Sequence, residues 1–102
     1  MTAPTTAVDG RTLARYLRAA AAEVERRPLS APVRIEDAVE YAMPGMRDRC
    51  DAYYLAALDA VARAAQLKVR TDALAAVQAW QRTVARQRAE DVLTLAARQV
   101  TA

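Results

Sequence analysis

Gln78, Arg82 and Arg86, joined by Gln81 and Arg88, are side chains whose types and spacing could do chemistry. Intervals of three and four residues bring such side chains to one broad face of a helix. Arginine neutralises phosphates and pairs with carboxylates in a two-pronged geometry, and glutamine and arginine both read base edges. The stripe could therefore follow a phosphate backbone or grip an acidic partner. An ordinary solvated helix face has the same composition. Arg70 and Thr71, just upstream, would extend a nucleic-acid surface that comprises Arg70, Thr71, Gln78, Gln81, Arg82 and Arg86.

A helix-turn-helix across residues 60–82 is the motif that would put this surface to use. Ala64, Leu67, Val69, Leu74 and Val77 occupy positions resembling its small and apolar anchors. Lys68 stands where glycine is usual in the turn, and Arg63 where an apolar residue is usual. Ala75, Ala76 and Ala79 would read little on the second helix. The net charge of +3 is also low for a protein whose affinity rests on phosphate neutralisation.

Catalysis has little to work with. Histidine is absent and Cys50 is the single cysteine. There is no Ser-His-Asp or Cys-His arrangement, no Cys/His zinc set and no Glu-x-x-His pair for a di-iron bundle. Glu36 with Glu40, and Asp48 with Asp51, are carboxylate pairs of a kind that any polar helix face carries. No catalytic, metal or cofactor-binding residue is expected, no cofactor, and no small-molecule substrate. A lone cysteine suits a reducing compartment. No apolar run approaches the length of a membrane span, and a cytoplasmic protein is expected.

The elements that must position these side chains are helices. All four prolines and both glycines lie at or before Gly45. Beyond it the chain is rich in alanine, arginine, glutamine and leucine, all good helix formers, with no strong breaker among them. Alanine is the commonest residue and Lys68 the only lysine, a bias that the codons of a high-GC bacterial genome would produce. The reading is a single all-α domain over 9–102, behind a disordered leader at 1–8. Its architecture is a small bundle of four helices at about 10–27, 32–43, 46–68 and 71–100. A kink is expected in the last helix near 86–91, or a short fifth helix capped by Asp91.

Asp9 is placed to cap the first helix, with Val8 and Leu13 as a hydrophobic staple. Leu13, Tyr16, Leu17, Ala20 and Val24 form its apolar stripe. Ile35, Ala38, Val39, Ala42 and Met43 form that of the second. The third helix has the widest apolar face, running from Met46 and Cys50 through Leu58 to Leu67, and should be central. The corner after it is expected at 68–72, with Thr71 or Asp72 as the next cap. On the fourth helix Leu74, Val77, Trp80 and Val84 should face the core, opposite the glutamines and arginines.

A core this rich in alanine buries little area per residue. Self-association is therefore expected, through an interface of Tyr53, Tyr54, Trp80 and Val84. Trp80 is the only tryptophan, and tryptophan is enriched where interfaces concentrate their energy. The functional expectation is a non-catalytic helical protein–protein interaction module, most simply a homodimer, with a second protein as an equivalent partner. A small DNA-binding regulator built on residues 60–82 is the alternative.

Overall fold

The computed structural model describes residues 8–28, 30, 33–43, 52–69 and 72–101. Residues 1–7 of the expected leader, the third-helix positions from Met46 to Asp51, and Arg70 and Thr71 lie outside the described residues. Among those described there are five helices and no strand: α1 (Gly10–Arg26), α2 (Ile35–Ala42), α3 (Ala52–Ala64), α4 (Ala73–Gln81) and α5 (Arg86–Gln99).

α1 begins as its sequence dictates. Asp9 takes an extended backbone and its carboxylate accepts from the Thr12 amide at 3.0 Å and the Thr12 hydroxyl at 2.7 Å. These bonds hold the Asp9 carboxyl below its usual range. Val8 packs against the core next to Leu13, Leu17, Ala20 and Val24, which are buried. The Asp9 amide donates to the Tyr53 hydroxyl at 3.0 Å, and the Tyr53 ring meets Tyr16 edge to face. One tyrosine of α3 therefore fixes the entry of α1.

α1 lies antiparallel along α5. At one end Gly10 is so close to the Val100 carbonyl that a Cβ would stand 2.6 Å from its oxygen. At the other end the Arg86 guanidinium, from the first turn of α5, donates to the Arg27 carbonyl at 2.6 Å and to that of Glu25. Those carbonyls are acceptors that a helix C-terminus leaves without intrahelical partners. The cation also suits the negative end of the helix dipole. Alanines make this proximity possible: Ala14 and Ala20 of α1 and Ala89, Ala96 and Ala97 of α5 are all buried.

α3 is the most enclosed helix, with Tyr54, Ala57, Leu58, Ala60, Val61, Ala62 and Ala64 buried. It ends at Ala64, short of the expected 68. The turn is made without glycine. Gln66 takes a left-handed backbone, φ 58°, while its amide donates to the Arg63 carbonyl and the Leu67 amide to that of Ala62. This pair of bonds closes a Schellman motif with glutamine where glycine is usual. Asp72 then caps α4, its carboxylate accepting from the Ala75 amide at 2.7 Å.

The expected fourth helix of 71–100 is in fact two. α4 stops at Gln81 and α5 starts at Arg86, so the break lies at 82–85 rather than at 86–91. Thr83 supplies the local cause: its amide and its hydroxyl both donate to the Trp80 carbonyl, at 3.0 and 2.9 Å. A side chain that closes on the preceding turn competes with helix propagation, and Thr83-Val84 is a stiff β-branched pair. The N-cap of α5 is Ala85, not Asp91, and it supplies no side-chain cap. No helix among the described residues is long and apolar enough to cross a membrane.

Candidate functional site

The break between α4 and α5 opens a cavity of about 580 Å³ where the end of α1, the start of α2, the end of α4 and the start of α5 converge. Its apolar lining is Val24, Val33, Ile35, Val84 and Ala89. Its polar lining is Arg34 and Glu36 from the start of α2, Gln78, Gln81 and Arg82 from the end of α4, and Arg86 from α5. The volume lies in the range that holds small organic ligands or a few residues of a peptide.

Gln81 organises the inner part. Its side-chain oxygen accepts from the Ile35 amide at 2.8 Å, and its side-chain nitrogen donates to Glu36 Oε1. α2 has no side-chain cap of its own, since Arg34 occupies the N-cap. A glutamine from α4 therefore serves one of the orphan amides of α2. Glu36 sits in that first turn, where the helix dipole favours a carboxylate. It is 1% exposed, and its second oxygen, Oε2, is buried without a hydrogen-bond partner.

The arginines divide into two groups. Arg86 is held by the α1 carbonyls and by Glu90, whose carboxylate lies 3.5 Å from Nε. Arg26 and Arg27 pair with Glu23, and Arg27 also lies over the Tyr41 ring at 5.3 Å. The Arg27 and Arg26 guanidinium groups hold the Glu23 carboxyl below its usual range, and Glu23 in turn raises Arg27. Arg34 and Arg82 are different. Both are exposed at the cavity, and neither side chain has an ion-pair or hydrogen-bond partner among the described residues.

Four residues of the stripe expected from the sequence are brought together at the wall of a cavity open to solvent, and Arg88 is not among them. Gln78, Gln81, Arg82 and Arg86 all line it, but Gln81 and Arg86 are engaged within the chain. Val84, expected opposite them, lines the same cavity because the helix has ended by that point. Of the expected interface residues, Tyr54 is enclosed in the core of its own chain, so it cannot face a partner. Tyr53 stands at the boundary, bonded to Asp9, and Trp80 is half-buried against the core. Residues 65–72 separate α3 from α4, a longer connection than the three or four residues of a helix-turn-helix.

Arg34 and Glu36 are the site residues that the sequence reading missed. A signal for Glu36 existed: it shares the i, i+3, i+7 line with Val39 and Met43, both buried. A carboxylate on an apolar stripe needs a partner from elsewhere in the chain, and here Gln81 provides it. No family model matches the chain, no curated protein matches its sequence, and no solved structure matches its fold.

Proposed function

We propose that this chain is a non-catalytic helical protein–protein interaction module, a small helical bundle that seats an acidic segment of its partner at the cavity between α1, α2, α4 and α5. The observation that carries this reading is the pair of unpartnered arginines, Arg34 and Arg82, at a cavity with apolar walls. Arginine matches a carboxylate two-pronged and is enriched at interface hot spots. The apolar lining gives a leucine or valine of the same segment somewhere to go.

A second copy of the chain has less behind it as the partner. Tyr54 is spent on the core, and the large apolar side chains exposed among the described residues, Tyr41, Leu55 and Val69, come from three separate segments. The DNA-binding reading also has less behind it. Gln81 is engaged by α2, Gln78 lines the cavity, and α4 exposes Ala75 and Ala79 instead.

The test is fluorescence anisotropy of a labelled glutamate- and leucine-rich peptide titrated with the wild-type protein and with Arg34→Ala/Arg82→Ala. Two exposed pairs at about 0.5–1 kcal/mol each predict roughly five- to thirtyfold weakening in the double variant. Higher salt should weaken the wild-type complex. Equal binding by the variant, or equal binding of a neutral peptide of the same length, would contradict the proposal. A labelled DNA duplex titrated in parallel tests the alternative, which requires a steep loss of affinity with salt.

A further inference from the structure

The cavity is graded in charge: a buried carboxylate inside, unpartnered cations at its edge. Resting on the reading of this cavity as the partner's seat, we propose that the bound segment carries one basic side chain between its carboxylates, a lysine or arginine that donates to Glu36 Oε2. One oxygen of that carboxylate is satisfied by Gln81, and the other is buried with no donor. A buried acceptor left without a donor is strongly unfavourable, and native structures rarely keep one.

Among the described residues that line the cavity, no side chain donates to Oε2. From α5, Arg86 is bound to the α1 carbonyls and to Glu90. From α2, the Ile35 amide serves Gln81. The side chains of Arg34, at the N-cap of α2, and Arg82, at the C-cap of α4, make no hydrogen bond among the described residues, and α1 contributes only Val24 to the lining. The complement of a carboxylate ringed by arginines is a cation flanked by carboxylates. The long apolar stem of lysine or arginine suits walls of Val24, Val33 and Val84 while its charged head reaches a polar atom.

The test uses two labelled peptides that differ at one residue: a central lysine or a central norleucine, each flanked by glutamates and leucines. On general charge grounds the lysine peptide should bind this basic protein more weakly, because it is less acidic. The proposal predicts the opposite, tighter binding of the lysine peptide to the wild-type protein by about tenfold or more. In Glu36→Gln the two peptides should converge to within about twofold.

Equal binding of both peptides by wild type, with binding still dependent on Arg34 and Arg82, overturns the role of Glu36 and leaves the acidic-segment reading standing. Failure of both peptides to bind overturns both. A preference for lysine that survives in Glu36→Gln overturns the assignment to Glu36. Displacement of the lysine peptide by free ε-aminocaproate as effective as by unlabelled peptide overturns a protein segment in favour of a small amphoteric molecule. The comparison of peptides on the wild-type protein needs no variant to fold.

Discussion

Arg86→Met separates a residue that builds the site from one that contacts a ligand. In the sequence Arg86 belongs to the surface stripe, whereas in the structure its guanidinium joins α5 to the last turn of α1. It donates to the Arg27 carbonyl at 2.6 Å and to the Glu25 carbonyl, with Glu90 3.5 Å from Nε. A hydrogen bond to a charged group contributes about 1.5–3 kcal/mol net. The Glu25 bond is exposed, so water replaces part of it, and the surface pair with Glu90 adds little. The two bonds together therefore contribute about 2 kcal/mol. Methionine keeps the apolar stem and removes only the guanidinium. For a domain of this size ~2 kcal/mol corresponds to a fall in Tm of roughly 8–16 °C. Thermal unfolding followed by far-UV circular dichroism measures it, with the acidic-peptide titration repeated well below the new midpoint. A Tm within about 2 °C of wild type together with lost peptide binding would refute the reasoning and return Arg86 to the ligand surface.

Three further outcomes follow from other points in the fold. Gly10→Ala should destabilise the protein by about 1–2 kcal/mol in a denaturant titration, because its Cβ would stand 2.6 Å from the Val100 carbonyl oxygen and separate α1 from α5. A gain in stability, as helix propensity alone dictates, would contradict that close approach. Gln66→Gly should stabilise by about 0.5–1 kcal/mol, since the left-handed residue after α3 favours glycine, and a loss in the same titration would contradict it. The Asp9 and Glu23 carboxyls are held below their ordinary values by Thr12 and by Arg27 with Arg26, so their contribution is complete above the unfolded carboxylate range and is lost as pH falls through the folded values. Tm should therefore be level from about pH 7 to 5 and decline below about pH 4.5, and an increase over that acid range would contradict the assignments.

Much of the helical layout was legible from local rules. Asp9 and Asp72 cap the helices they precede, and the stripes of α1 and α2 bury the residues their spacing selects except Tyr16 and Ala42, which are half-buried. These features depend on neighbours within one or two turns, which sequence reports well. The two corners were misplaced for one reason: neither uses a glycine or proline. The chain leaves α3 through a left-handed glutamine and leaves α4 where Thr83 closes on Trp80. Both residues also occur within helices, so their types alone do not mark a turn. The site was half legible. Gln78, Gln81, Arg82 and Arg86 share one cavity although they do not share one helix, and the engagement of Gln81 depends on Ile35 and Glu36, more than forty residues away. Long-range pairing of that kind leaves no periodic trace.

The most direct test of the central claim is an amide correlation spectrum of isotope-labelled protein titrated with the glutamate- and leucine-rich peptide. The account predicts that the largest shifts fall on the cavity, at Arg34, Glu36, Gln78, Arg82 and Val84, and that the side-chain amide of Gln78 moves with them. Shifts confined to the outer face of α1 around Arg11, Arg15 and Arg18, or none at saturating peptide, would contradict it.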